Sequence, residues 1–169
     1  MVADAAHPRL AGALYLLNIG LGIASLALSG RAGTVVLVLA ALTYVAVTII
    51  LYEYFRPVNP TISALAAGFS LIGCFISLVN ATGIGSINVH PLTFFGGYCL
   101  LLGFLIVRSK FVPAILGVLL MLGGIGWLTF AWPALSSTLV PYNMAPGILS
   151  ELLFAVWLVA KGRGSTLVK

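Results

Sequence analysis

One acidic residue lies inside a long apolar segment near the end of the sequence. Residues 146–161 read PGILSELLFAVWLVAK, and Glu151 is the only carboxylate among them. A carboxylate in hydrocarbon is costly and usually faces the interior of a helix bundle or a cavity. We therefore expect Glu151 to form either a polar or proton-relay site or a hydrogen-bonded clasp that fixes helix register, and the sequence leaves both interpretations open.

Four other polar side chains fall at the same depth in their predicted helices. Glu151 lies about nine residues from the end of its segment, which is ~14 Å at 1.5 Å per residue. Together these side chains could hydrogen-bond either a protonated or an ionised carboxyl. The predicted ligand-binding or polar-core residues are therefore Glu151, Asn18, Tyr44, Ser70 and Tyr98.

No motif for covalent or metal chemistry accompanies this carboxyl. His7 and His90 are predicted about one bilayer thickness apart, so they cannot bracket a haem iron. No metal-ligand spacing, nucleophile elbow, phosphate loop or dinucleotide fingerprint occurs. We expect no catalytic residue, metal or cofactor, and we interpret Cys74 and Cys99 as core side chains instead of a disulfide.

The composition is that of an integral membrane protein. The 169 residues are 62% hydrophobic and 7% charged, with a mean hydropathy of +1.20. A soluble domain carries about a quarter charged residues, so these charges are too few for a surface in water. The formal charge of +5 comes without a basic surface interleaved with aromatic residues. We expect the lipid bilayer as a partner and no nucleic acid.

Six apolar segments predict an all-α membrane protein, a six-transmembrane-helix bundle in one domain over residues 1–169. A helix of about twenty apolar residues crosses a bilayer, and each span must satisfy its own backbone hydrogen bonds. The connections are short, so sequential helices should be antiparallel. The spans are predicted at about residues 10–29, 33–54, 61–80, 92–107, 112–132 and 142–160.

The basic residues predict an orientation in which both termini are cytoplasmic. With six spans only Arg31 falls on one side, and an excess of Lys and Arg marks the cytoplasmic side. Glu53 and Arg56 are three residues apart at that side, where an i,i+3 surface ion pair can form. The cytoplasmic set is Arg9, Arg56, Arg108, Lys110, Lys161, Arg163 and Lys169.

Small residues with small-xxx-small spacing predict close helix contacts. Such contacts serve either packing within one bundle or a self-association face, so a homo-oligomer stays open. The residues concerned are Gly20 with Ala24, Ser25 with Ser29, Ala64 with Gly68, and the glycines at 117, 123, 124 and 126.

Several ordered stretches resemble one family. They are residues 9–18 (RLAGALYLLN), 55–59 (FRPVN), 107–117 (VRSKFVPAILG) and 150–162 (SELLFAVWLVAKG). Together they resemble the bacterial integral membrane family labelled domain of unknown function 4386. The resemblance implies a multi-helix protein of the bacterial inner membrane and carries no activity. Glu151 falls in the family's Gly-Glu-like stretch, with Ser150 in place of the usual glycine.

Three functions are compatible with these observations. The favoured one is a non-enzymatic protein that binds a small apolar or amphiphilic ligand, a lipid or a membrane-protein partner. The alternative is a small proton-coupled transporter or channel centred on Glu151. An enzyme acting on lipid ranks last because Glu151 is the one acid–base residue in the predicted layer. A polar cavity that reaches Glu151 from one side would favour transport.

Overall fold

The computed structural model describes residues 6–162, apart from the side chains of residues 6, 7 and 26. His7, Arg163 and Lys169, which entered the predictions above, are therefore outside the described side chains. The helices are α1 Ala6–Ala27, α2 Gly30–Phe55, α3 Pro60–Thr82, α4 Pro91–Arg108, α5 Ala114–Leu128, α6 Pro133–Leu139 and α7 Ala145–Lys161, with a 3₁₀ turn at Thr129–Ala131. The described residues contain no strand.

Within the described residues, four helices are long and apolar enough to cross a membrane. They are α2, α3, α4 and α5 together with its 3₁₀ turn. The chain is therefore an all-helical protein with the character of a membrane protein. The first helix has 22 residues and α7 has 17.

Local sequence explains where α3 and α4 begin and end. Asn59 accepts a hydrogen bond from the backbone N–H of Ile62 at 2.9 Å, and proline occupies the first position of α3. His90 and the proline after it begin α4 in the same way. Gly83 ends α3 with φ +69°, a left-handed conformation that glycine adopts without strain.

The six longer helices close a ring. Each packs against two others, in the order α1, α2, α3, α4, α5, α7 and back to α1. The first and last helices therefore lie side by side, and Arg9 Nε donates to the Gly162 carbonyl at 3.3 Å. We call this end of the ring the terminal end. The opposite end carries the α1–α2 turn, the 83–90 loop and α6, and we call it the loop end.

Glycines bring neighbouring ring helices to backbone contact. A Cβ added to Gly117 on α5 would lie 2.5 Å from the Gly103 carbonyl oxygen on α4. A Cβ added to Gly12 on α1 would lie 2.7 Å from the Ala155 carbonyl oxygen on α7. The predicted close packing of the α5 glycines therefore holds within the ring. By contrast, Gly20 and Gly68 have open space where a Cβ would be, so they lie outside these contacts.

Charge is concentrated at the terminal end. Of the six basic residues in the described chain, Arg31 alone belongs to the loop end. The predicted ion pair is confirmed, with Arg56 Nη1 3.4 Å from Glu53 Oε1. The remaining basic residues at the terminal end are Arg9, Arg108, Lys110 and Lys161.

The segment between α5 and α7 differs from the expected loop at residues 134–141. Pro133 begins the seven-residue helix α6, which packs on the 3₁₀ turn, and α7 begins at Ala145. Large apolar side chains flank α6 and stay exposed, including Trp132 at 64% and Tyr142 at 80%. Aromatic residues at such positions are typical of a membrane–water interface.

Candidate functional site

Glu151 lies on the ring-facing side of α7. The buried residues of α7 recur at helical spacing at Gly147, Ser150, Phe154 and Leu158, and Glu151 borders that face. Its Oε1 accepts a hydrogen bond from Trp127 Nε1 at 3.2 Å and another from Cys99 Sγ at 3.4 Å. Three helices therefore meet at one carboxyl.

Glycines allow both donors to reach Glu151. A Cβ on Gly147 would collide with the indole ring of Trp127, so this glycine lets the ring lie flat against α7. A Cβ on Gly124 would lie 3.1 Å from the Cβ of Cys99. The absence of side chains at these two positions sets how closely α5 can approach α4 and α7, and thereby places the donors.

Tyrosines fill the ring beside the carboxyl. The Tyr15 and Tyr44 hydroxyls hydrogen-bond each other at 2.9 Å, and their rings meet edge to face with centroids 5.3 Å apart. The Tyr98 ring lies 6.0 Å from that of Tyr44. The Tyr98 hydroxyl is buried and has no hydrogen-bond partner among the described residues. We call these three buried tyrosines, which pack edge to face beside Glu151, the aromatic layer.

A pocket of about 170 Å³, the central pocket, opens on the loop-end side of this layer. Glu151 keeps partial exposure and forms part of its wall. Every ring helix contributes to the lining: Asn18 from α1, Tyr44 from α2, Cys74 from α3, Phe95 from α4, Trp127 from α5 and Glu151 from α7.

A larger pocket of about 710 Å³, the vestibule, lies between the central pocket and the loop end. Leu37 and Ser77 line both pockets, so the two are adjacent. The vestibule wall includes the loop after α3, where the Asn80 side chain accepts from the Ile87 N–H at 2.9 Å. The two pockets together extend from Glu151 toward the loop end, and their walls are mostly apolar.

His90 forms another part of the vestibule wall. Its ring packs 4.5 Å from that of Phe130, and its Nδ1 accepts from the Leu92 N–H at 3.3 Å. Partial burial lowers the pKa of His90 below its usual 6.5, because burial disfavours the charged form. The imidazole is therefore neutral at pH 7, which leaves Nδ1 free to cap α4.

On the terminal side of the aromatic layer the ring is filled. The fully buried side chains there come from several helices and leave a packed apolar plug between the central pocket and the terminal end. They include Val47, Leu51, Leu102, Leu105, Phe154 and Leu158.

The five predicted site residues do not all belong to one site. Asn18, Tyr44 and Glu151 line the central pocket, and Tyr98 stands behind it in the aromatic layer. Ser70 instead hydrogen-bonds Thr48 at 2.6 Å between α2 and α3. Three of the five residues matched by depth line one pocket, but depth carries no information about the direction of a side chain.

Sequence reasoning missed the residues that bond Glu151. Trp127 sits at the end of a glycine-rich helix, and Cys99 was interpreted only as a core side chain. Both cysteines are indeed free and buried, as predicted. Tyr15 also lies near the carboxyl, and its i,i+3 spacing to Asn18 was the signal that could have revealed it.

The arrangement can anchor a polar group or hold a proton at one carboxyl. No group of three or more metal-ligating side chains exists in the described part of the chain. No histidine is among the described hydrogen-bond partners of Glu151, whereas the Cys99 thiol donates to it, so the site pairs one carboxyl with one thiol.

Comparisons with known proteins agree with the resemblance found in the sequence. The family described as "Domain of unknown function (DUF4386)" matches residues 23–89 and 84–162. An uncharacterized protein of Archaeoglobus fulgidus is 34% identical over 125 residues, which cover 70% of this chain and 76% of the relative. No solved structure matches the chain.

Proposed function

The chain belongs to the family described as "Domain of unknown function (DUF4386)", and from its central pocket we propose a membrane protein that binds a small ligand at Glu151. One observation carries this proposal: the pocket reaches the middle of the ring from the loop end and is bordered there by an oriented carboxyl. Ligand sites typically combine apolar walls with a few placed polar groups.

The volume of the pocket limits the ligand. An apolar cavity of ~150 Å³ holds one benzene molecule, and the central pocket measures about 170 Å³. The part of the ligand that reaches Glu151 is therefore the size of a single small ring or a short branched chain. A longer tail would extend into the vestibule.

We further propose that the chain crosses a bacterial inner membrane six times and that both termini lie on the cytoplasmic side. The 22 residues of α1 suit a full span, and α7 has the 17 residues of a short one. The excess of basic residues at the terminal end supports a cytoplasmic terminal end. The vestibule would then face the opposite side of the membrane, and ligand would enter from there.

Pocket filling tests the binding function. Ala41 lines the central pocket, whereas Ala64 is exposed on α3. Small aromatic and branched amphiphiles should raise the melting temperature of the wild-type protein in mild detergent. Ala41→Leu should abolish this shift because the added side chain occupies the pocket, and Ala64→Leu should retain it. The proposal is overturned if none of the amphiphiles in this panel raises the melting temperature of the wild-type protein. It is also overturned if they raise the melting temperature of Ala41→Leu by the same amount as that of the wild type.

Transport is a second candidate, favoured by the one-sided access to Glu151. A pocket open at the loop end and closed by an apolar plug at the terminal end is one of the two states that alternating access requires. Proton-linked uptake in vesicles should then disappear in Glu151→Gln and persist in Glu53→Gln, whose carboxylate pairs with Arg56 at the surface. Uptake that is unchanged in Glu151→Gln removes the transport function.

A further inference from the structure

In the part of the chain that the structure describes, the walls of the central pocket and the vestibule offer a negative group and no positive one. Among the described residues that line the central pocket and the vestibule there is no Lys or Arg, and Glu151 is the one acidic side chain. The vestibule contributes neutral polar groups, including Asn80, Asn88 and Ser136. His90 is neutral at pH 7 because partial burial lowers its pKa. A ligand that is itself anionic would find no positive partner along this route.

The walls around Glu151 are aromatic. The rings of Tyr44, Phe95 and Trp127 all line the central pocket. An aromatic face attracts a cation through its quadrupole, most strongly when water is excluded. A carboxylate surrounded by aromatic rings therefore offers a cation both an opposite charge and a polarisable wall.

The same walls disfavour an inorganic cation. Metal ions of the hard type need several oxygen ligands, whereas this pocket supplies one carboxylate. The remaining polar side chains on its wall are Asn18 from α1, Tyr44 from α2, and Cys74 and Ser77 from α3. These groups are spread around the lining, and the described residues hold no cluster of metal-ligating side chains.

We propose that the ligand of the central pocket is a small organic cation, an ammonium group on a single ring or short branched carbon frame. The ammonium pairs with Glu151, and the carbon frame packs against the aromatic rings. This inference rests on the proposed binding function and specifies its ligand. Trp127 and Cys99 hold the carboxyl in place through Oε1, so the anchor is oriented before the ligand arrives.

Two probes of equal size separate charge from shape. Benzylammonium and benzyl alcohol have the same number of non-hydrogen atoms and each carries one ring, close to the size of the pocket. Calorimetric titration of the detergent-solubilised protein should show benzylammonium binding at least about tenfold more tightly than benzyl alcohol. In Glu151→Gln the preference should vanish, with the two affinities within about twofold of each other.

The matched control is Glu53→Gln, which removes an exposed carboxylate far from the pocket and should leave the preference intact. Equal binding of the two probes to the wild-type protein overturns the organic-cation inference and leaves the binding function standing. Competition by Na⁺ or Mg²⁺ at the concentrations of the probe also overturns it. Failure of both probes to bind, together with no stabilisation by the wider panel, overturns the binding function itself.

Discussion

Two glycine-to-alanine substitutions measure how much the ring depends on backbone contact between α4 and α5. In Gly117→Ala the new methyl would stand 2.5 Å from the Gly103 carbonyl oxygen, about one ångström inside the 3.4 Å of ordinary contact. It would also meet Val107 Cγ2 at 2.9 Å. A carbonyl in a helix cannot rotate away, so the two helices must separate. Gly68→Ala on α3 meets no atom within 4 Å.

Both substitutions make the same gain in helix propensity, roughly 0.8–1 kcal/mol. The difference in stability between the two variants therefore reports the packing between α4 and α5. Overpacking typically costs about 1–3 kcal/mol, so Gly117→Ala should be less stable than Gly68→Ala by that amount. Gly68→Ala itself should equal or exceed the wild-type protein in stability.

The assay is unfolding by titration of a denaturing detergent into protein held in mild detergent, followed by loss of helix signal. The wild-type protein, Gly68→Ala and Gly117→Ala are compared in one lipid and detergent mixture. A Gly117→Ala midpoint that equals that of Gly68→Ala and is not below the wild-type value would refute the argument, because it would mean that α4 and α5 do not meet through their backbones. A Gly68→Ala variant that is as destabilised as Gly117→Ala would place α3 differently in the ring.

Three further experiments probe the polar interior and the vestibule. The Thr48 and Ser70 hydroxyls are 2.6 Å apart. A double-mutant cycle of Thr48→Ala and Ser70→Ala, measured by the same titration, should therefore give a coupling energy of about 0.6 kcal/mol and at most about 1.7 kcal/mol. A coupling energy of zero would contradict this hydrogen bond. Tyr98→Phe should be neutral or stabilising because its hydroxyl has no partner among the described residues, whereas Tyr15→Phe loses a hydrogen bond and should lower the midpoint. Burial lowers the pKa of His90 from 6.5, so the unfolded chain takes up the proton first and wild-type stability should fall as pH drops below about 6.5. His90→Asn keeps a capping acceptor without titrating, and equal pH profiles of the two proteins would remove this role of His90.

The helical class and the membrane character were predictable because they depend on composition and segment length alone. The ion pair of Glu53 and Arg56 followed from i,i+3 spacing and needs no tertiary information. The position of Glu151 toward the ring could be argued from the cost of a charge in hydrocarbon. Each of these predictions depends on one segment and on whether water or lipid surrounds it, and none needs the contacts between helices.

The partners of Glu151 could not be predicted because they depend on how each helix is rotated about its axis. Tyr44 and Ser70 lie at one depth, yet one lines the pocket and the other bonds Thr48. Rotation is set by the close glycine contacts, and these determine which side chains of α4 and α5 point at the carboxyl. The sequence marked the α5 glycines as contact residues without naming the helices that they contact.

The short helix α6 was missed for a different reason. Residues 133–139 are too few to form a detectable apolar period, and they fall between the predicted spans at 112–132 and 142–160. Helices of this length form because a neighbour supports them, and here the support is the 3₁₀ turn.

The closure of the ring between α1 and α7 has a consequence for biogenesis. Translation delivers α7 after the other five ring helices, and α7 alone brings the carboxyl. Until α7 docks, Gly12 of α1 lacks its close contact with the Ala155 carbonyl. Docking of the last helix therefore completes the ring and supplies the last wall of the central pocket in the same event, so a chain truncated before Glu151 lacks that wall.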